Sequence, residues 1–184
     1  DPGLVYDANL TDYNRYSCAV WSNPKLVYEY PTMRPPAYCN SSICDGGACA
    51  YPQALLDFNF PSFSLPRLSS GFRKGFTVKR TVTFVGALPK SKKVQFDPLI
   101  LLPSGITARV KVSRPKGASG KGQGGYTKGL RFTAAGQSRT FTLTIKASTS
   151  AVMPPDVWRF GSLTWVDADK KWAVRSPIAL QVTS

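Results

Sequence analysis

The tightest constraint on the fold lies near the end of the chain. Over residues 160–182, Leu163 and Trp165, then Trp172 and Val174, then Ile178, Leu180 and Val182 alternate with other residues. Successive side chains of a strand point to opposite faces, so this spacing predicts two strands sharing one apolar face. The charged run Asp167-Ala168-Asp169-Lys170 between them reads as the turn. Pro177 has no N–H for a ladder and marks an edge, a bulge or a strand start. A hairpin with two tryptophans on one face does not stand alone in water. The rest of the chain has to supply a layer that covers it.

The same period recurs upstream. Ile106, Ala108, Val110 and Val112 point one way, and Thr107, Arg109 and Lys111 the other. Phe141, Leu143 and Ile145 repeat the pattern, Val78, Val82 and Phe84 share a face, and residues 93–102 form a further candidate. Phe58 and Phe60 differ in parity from Phe63 and Leu65 across Pro61, which predicts two short strands or one broken by a bulge. A single early helix is expected. Asn9 is its cap, Asp12 favours its positive end, Tyr13, Tyr16 and Val20 follow at helical spacing, and Asn23-Pro24 ends it. This pattern predicts an all-β chain, an immunoglobulin-like β-sandwich of about seven strands. The sandwich is placed over residues 57–184, behind an extension over 1–56 that carries the helix and the cysteines.

Cys18, Cys39, Cys44 and Cys49 are the only cysteines. An even, clustered set suggests two disulfides, for which three pairings exist. The preferred one joins Cys18 to Cys39 and Cys44 to Cys49, the second closing a small loop at Asp45-Gly46-Gly47. The rival is a zinc site, disfavoured because the spacing lacks paired C-x₂-C knuckles and the chain has no histidine. Asn9-Leu10-Thr11 and Asn40-Ser41-Ser42 are glycosylation sequons. Sequons and cysteines together favour an oxidising, secretory compartment, and the chain is expected outside the cell, in the cell wall or matrix. The opening Asp1-Pro2-Gly3 lacks Met and a basic-then-apolar leader, which predicts a mature or processed chain. No apolar stretch approaches the roughly 18 residues of a membrane span.

The formal net charge is +14, and residues 58–155 carry 17 Lys or Arg against one acid, Asp97. One reading is solvated strand faces. The other is a polyanion-binding arm of Arg109, Lys111, Arg114, Lys116, Lys121 and Lys128, with acidic polysaccharide favoured over nucleic acid. Residues 114–129 form a glycine-rich basic loop. Gly120 to Gly125 formally fits G-x-G-x-x-G, but no helical pattern follows it, so a nucleotide site is not expected. Asp167 and Asp169 offer too few ligands for a calcium loop. Trp158, Trp165 and Trp172 are expected in the core before any carbohydrate platform. A Ser-His-Asp triad needs a histidine and this chain contains none. No catalytic residue, metal or cofactor is therefore assigned.

Several collinear stretches resemble plant-type subtilisin-like serine proteases. Asp1 to Asp7 resembles the exit from their catalytic domain, and Asp12-Tyr13 with Cys18 their short helix. Asp57-Phe-Asn-Phe-Pro-Ser62 is similar to L-N-Y-P-S. Arg80-Thr-Val-Thr-Phe-Val-Gly86 is similar to R-T-V-T-N-V-G, with Phe84 for Asn. Pro103-Ser-Gly-Ile106, Phe160-Gly-Ser-Leu-Thr-Trp165 and Val174-Arg-Ser-Pro-Ile178 resemble P-x-G-V, F-G-S-L-T-W and V-R-S-P-I. The resemblance implies a non-catalytic C-terminal fibronectin type III-like domain with its preceding linker. The resemblance implies that it stabilises a subtilase catalytic domain or meets another subunit, and that it takes part in dimerisation or substrate access. The insertion at 114–129 and the extra Cys44 and Cys49 depart from the pattern. They keep open a free-standing extracellular binding protein that uses its basic face.

Overall fold

The computed structural model describes residues 2–23, 34–69, 75–90, 93–113, 126–127, 129–147, 154 and 156–183. Two five-stranded sheets face each other. The first has the order β1 (Leu4–Val5), β3 (Phe76–Phe84), β8 (Ser138–Ala147), β5 (Ile106–Ser113) and β6 (Tyr126–Thr127). The second has the order β2 (Phe63–Ser69), β10 (Ala173–Thr183), β9 (Trp158–Asp167), β4 (Val94–Leu101) and β7 (Leu130–Phe132). All pairings are antiparallel except β2 with β10, where Ile178 lies opposite Phe63 and Leu180 opposite Leu65. The all-β sandwich is as expected, with ten described strands instead of about seven. The additional strands include β1, β6 and β7, each too short to leave a periodic signal.

Alternation builds the core. Val78, Val82 and Phe84 of β3, Phe141, Leu143 and Ile145 of β8, and Leu163 and Trp165 of β9 are all buried between the sheets. Two aromatic clusters fill it. Phe84 stacks on Phe132 at 5.5 Å and meets the edge of Trp172 at 5.6 Å, while Trp165 meets Phe141 edge-on at 5.0 Å. Such pairs add about 1 kcal/mol each beyond burial. Pro177 sits within β10 where β2 pairing begins, so residues before it pair with β9 alone and its missing N–H leaves no gap in a second ladder.

The N-terminal residues form a small helical layer. Helix α1 (Leu10–Trp21) starts in a capping box: Asn9 Oδ1 accepts from the Asp12 N–H at 3.0 Å, and Asp12 Oδ2 accepts from the Asn9 N–H at 2.9 Å. Among the described residues two one-turn helices follow, α2 (Ser41–Cys44) and α3 (Gln53–Leu56), with a 3₁₀ turn at Asp45–Gly47. Of these helices only the first, α1, is expected from the sequence. The strand expected around Phe58 and Phe60 is a correction of the same kind. Phe58 is buried against Tyr13 and Tyr16 of α1, at ring distances of 5.1 and 4.9 Å, and the strand starts only at Phe63. Aromatics on a β-like parity were claimed by the helix instead.

Candidate functional site

β3 places Arg80 on the same parity as Val78 and Val82, so its side chain points inward from the middle of the strand with only 4% of its surface exposed. A buried cation is costly unless it is hydrogen-bonded. Arg80 Nε donates to the Phe60 carbonyl at 3.0 Å, Nη2 to Ser62 O at 3.3 Å, and Nη1 to Lys79 O at 2.8 Å and to Leu56 O. Burial lowers its pKa to about 10, while Asp57 and Tyr6 oppose the fall, so it stays charged at neutral pH. One side chain thus gathers the carbonyls of residues 56–62 onto the sandwich.

The stretch it gathers also closes the edge of β3. Asp57 Oδ1 accepts from the Lys79 N–H at 2.6 Å. Asn59 Oδ1 accepts from Thr81 N–H and its Nδ2 donates to Thr81 O, both at 2.8 Å. Gln53 Nε2 donates to Thr77 O at 3.2 Å, and β1 pairs with Thr83 and Phe84. Side-chain amides and a carboxylate stand in for a neighbouring strand, which blunts an edge that would otherwise template pairing with another chain. Between this stretch and α1 lies a cleft of about 530 Å³, lined by Asp7, Asp12, Arg15, Asp57, Lys79 and Arg80 among others. It mixes both signs of charge and holds no nucleophile–base pair.

Tyr6 ties the N-terminal segment to the last strand. Its hydroxyl lies 2.7 Å from the Ser176 hydroxyl, and Ser176 is fully buried on the inner parity of β10. Burial raises the Tyr6 pKa above its ordinary 10.0, against the lowering pull of Ser176, Trp165 and Arg80. The Trp165 indole N–H is near that phenol but meets no acceptor at hydrogen-bond geometry.

Cys18 is joined to Cys39 and Cys44 to Cys49, with Cα separations of 5.4 and 5.0 Å. The sulfurs of Cys18, Cys44 and Cys49 lie within 4.8 Å of one another. A metal ligand is a thiolate, and each of these sulfurs is in a disulfide instead, so the donor set does not suit zinc. Asn9 and Asn40 are both exposed, and each caps a helix: Asn40 Oδ1 accepts from the Ser42 N–H at 3.0 Å at the start of α2.

The two outer sheet faces differ in chemistry. On the first sheet, Thr77 pairs with Thr144 at 3.0 Å, Thr81 with Thr140 at 2.9 Å and Thr83 with Ser138 at 2.9 Å, hydroxyl to hydroxyl. Arg109 and Lys111 flank this polar face, opposite Thr144 and Thr142. Arg114, Lys116, Lys121 and Lys128 lie outside the described residues, so the expected six-residue arm is placed only in part. The second sheet turns Leu99, Leu101, Trp158 and Phe160 outward, with exposures of 52, 60, 44 and 72%. Leu101 lies opposite Ser162 on β9, beside Phe160, and Ala179 lies opposite Phe160 on β10. Trp165 and Trp172 are in the core as expected. Trp158 is not: it sits on the outward parity of β9, with Phe160.

A fibronectin type-III domain family model matches residues 57–180. A subtilisin-like protease of Glycine max is 33% identical over 98% of the chain and 18% of its own length. A subtilisin-like protease of Arabidopsis thaliana is 31% identical over 99% of the chain and again 18% of its own length. The chain therefore spans less than a fifth of the curated relatives it matches. Among solved structures, the periplasmic chaperone SfaE is 12% identical with a TM-score of 0.33, covering 65% of this chain and 55% of that one. That likeness is too slight to carry an argument. The chain belongs to the fibronectin type-III domain family, in the form that resembles the C-terminal domain of plant subtilisin-like proteases.

Proposed function

We propose that the chain is a non-catalytic accessory domain of a secreted subtilisin-like serine protease, and that its second sheet packs on the rest of that protein. The exposed apolar face of Leu99, Leu101, Trp158 and Phe160 carries the reading. Exposed apolar side chains gathered on one sheet face mark a surface that meets another protein. The opposite sheet offers threonine hydroxyls and cations, which suit water. Two disulfides in the N-terminal layer support an oxidising, secretory compartment. The domain stabilises the catalytic domain it adjoins, and the same face is the candidate for dimerisation or for shaping substrate access.

Leu101→Lys with Phe160→Lys tests this. Both positions are exposed, so the isolated chain should melt within about 0.5 kcal/mol of the parent. Joined to a subtilisin-like catalytic domain, the pair of substitutions should lower the melting temperature of that domain. An unchanged melting temperature in the joined protein contradicts the reading.

A second reading rests on Arg109 and Lys111 on the polar face. It is a free-standing extracellular binding protein for acidic polysaccharide, with the cations of residues 114–128 as its arm. Retention on polygalacturonate should fall with salt and on neutralising Lys116, Lys121 and Lys128. Retention that survives neutralising these lysines excludes that arm.

A further inference from the structure

We infer that Asn9 and Asn40 both carry N-linked glycans, attached through amide nitrogens that helix capping holds clear of the protein. The inference rests on the secretory reading above. In each residue the acceptor in the cap must be the oxygen, because the donor is a backbone N–H: Asp12 N–H for Asn9 and Ser42 N–H for Asn40, both at 3.0 Å. The amide is planar, so fixing Oδ1 on the helix end turns Nδ2 away from it. Neither Nδ2 has a hydrogen-bond partner among the described residues, and both asparagines are exposed. Their backbones are extended, at φ −100°, ψ 175° and φ −117°, ψ −179°. The third sequon residues, Thr11 and Ser42, are exposed too.

The modification is an amide glycosylation by a pyrophosphate-linked oligosaccharide donor. The asparagine nitrogen bonds to the anomeric carbon, the carbon–oxygen bond to the pyrophosphate breaks, and the leaving pyrophosphate keeps the electron pair. The nitrogen gives up one proton to solvent and retains the other, and the departing pyrophosphate carries the extra negative charge. Oδ1 is untouched, so a glycosylated asparagine still caps its helix. Cap and modification are compatible at the same side chain. Both glycans then stand on the N-terminal helical layer. That layer is thereby kept wet and free of a covering partner, in keeping with docking through the second sheet.

The full chain, led into the secretory pathway by a heterologous leader, is treated with peptide N-glycosidase in ¹⁸O water and mapped by mass spectrometry. Both asparagines should be recovered as labelled aspartate. Thr11→Ala and Ser42→Ala should each remove one glycan while leaving the backbone N–H bond to the capping oxygen in place; Ser42→Ala also removes the bond from the Ser42 hydroxyl to Asn40 Oδ1. Asn9→Asp should likewise remove a glycan and keep a capping oxygen, with the melting temperature held. Unlabelled asparagine at either position in disulfide-bonded, secreted material overturns the inference for that site. Native protein is examined in parallel for thiols. Four free cysteines with no glycan overturn the secretory reading and native glycosylation together, whereas intact disulfides without glycan overturn glycosylation alone.

Discussion

The guanidinium carbon of Arg80 lies 4.9 Å from the centre of the Phe63 ring. The ring belongs to the first residue of β2, and the guanidinium holds the carbonyls of the stretch just before it. Arg80 therefore fixes where the linker stops and the sandwich starts. Replacing it by Met removes the cation and leaves the Phe60 and Leu56 carbonyls without this donor. Arg80→Met should cost about 3–5 kcal/mol in urea unfolding, and Arg80→Lys about 1–3 kcal/mol because an ammonium lacks the planar fork. Equal stability in all three proteins would show that the carbonyl cluster is incidental.

Arg80 also shows where the sequence was hard to read. Its parity with Val78, Val82 and Phe84 is visible in the sequence, but a charged residue on a core parity has no local explanation. The explanation is the distant 56–62 stretch. The β-sandwich itself was legible, because β5, β8 and β10 each keep a period of two and β9 does so from Leu163 onward. The capping box of α1 was legible from Asn9 and Asp12 alone. The parallel pairing of β2 with β10 was not, since register between strands so far apart leaves no local trace. Nor was the apolar outer face: Pro98-Leu99-Ile100-Leu101 is apolar on both parities, so alternation cannot say which side meets water. Strand spacing alone groups Trp158 with Trp165 and Trp172 in the core, whereas its parity is that of the outward-facing Phe160.

The Tyr6 phenol predicts a loss of stability at alkaline pH. Its folded pKa is raised by burial, and an unfolded tyrosine ionises near 10. The folded form then binds more protons than the unfolded form above that pH. The stabilisation is fully present below about pH 10 and is lost as pH rises through the folded value. Arg80, lowered to about 10, contributes with the opposite sign in the same range. Tyr6→Phe should therefore cost about 1 kcal/mol at pH 8, for the lost bond to Ser176, and show a smaller further decline at pH 11 than the parent. Parallel pH profiles for the two proteins would refute the assignment.

Gly161 explains why glycine belongs in the middle of β9. A Cβ there would lie 2.5 Å from the Leu101 carbonyl oxygen and 2.8 Å from Leu102 Cδ2. Gly161→Ala must push β4 away and should cost about 1–3 kcal/mol. The loss should appear as faster hydrogen exchange in residues 99–102. Protection unchanged from the parent would show that the contact relaxes freely.

The disulfides should act mainly on the helical layer. Cys18–Cys39 closes a segment with a sequence separation of 21, Cys44–Cys49 one of 5. Loop entropy assigns about 3 kcal/mol to the first and about 2 kcal/mol to the second. Reduction should speed exchange in α1, whose Tyr13 and Tyr16 hold Phe58, before it reaches β8 or β9. Simultaneous loss of protection throughout would show a single cooperative unit.

Membership of an accessory domain in a larger protease is tested most directly on the native protein. It is isolated with an antibody against this chain and its peptides are mapped together with its intact mass. The account predicts one polypeptide in which peptides of a subtilisin-like catalytic domain accompany residues 1–184. A mature chain that begins at Asp1, made from a precursor whose secretory leader lies directly before that residue, would contradict it.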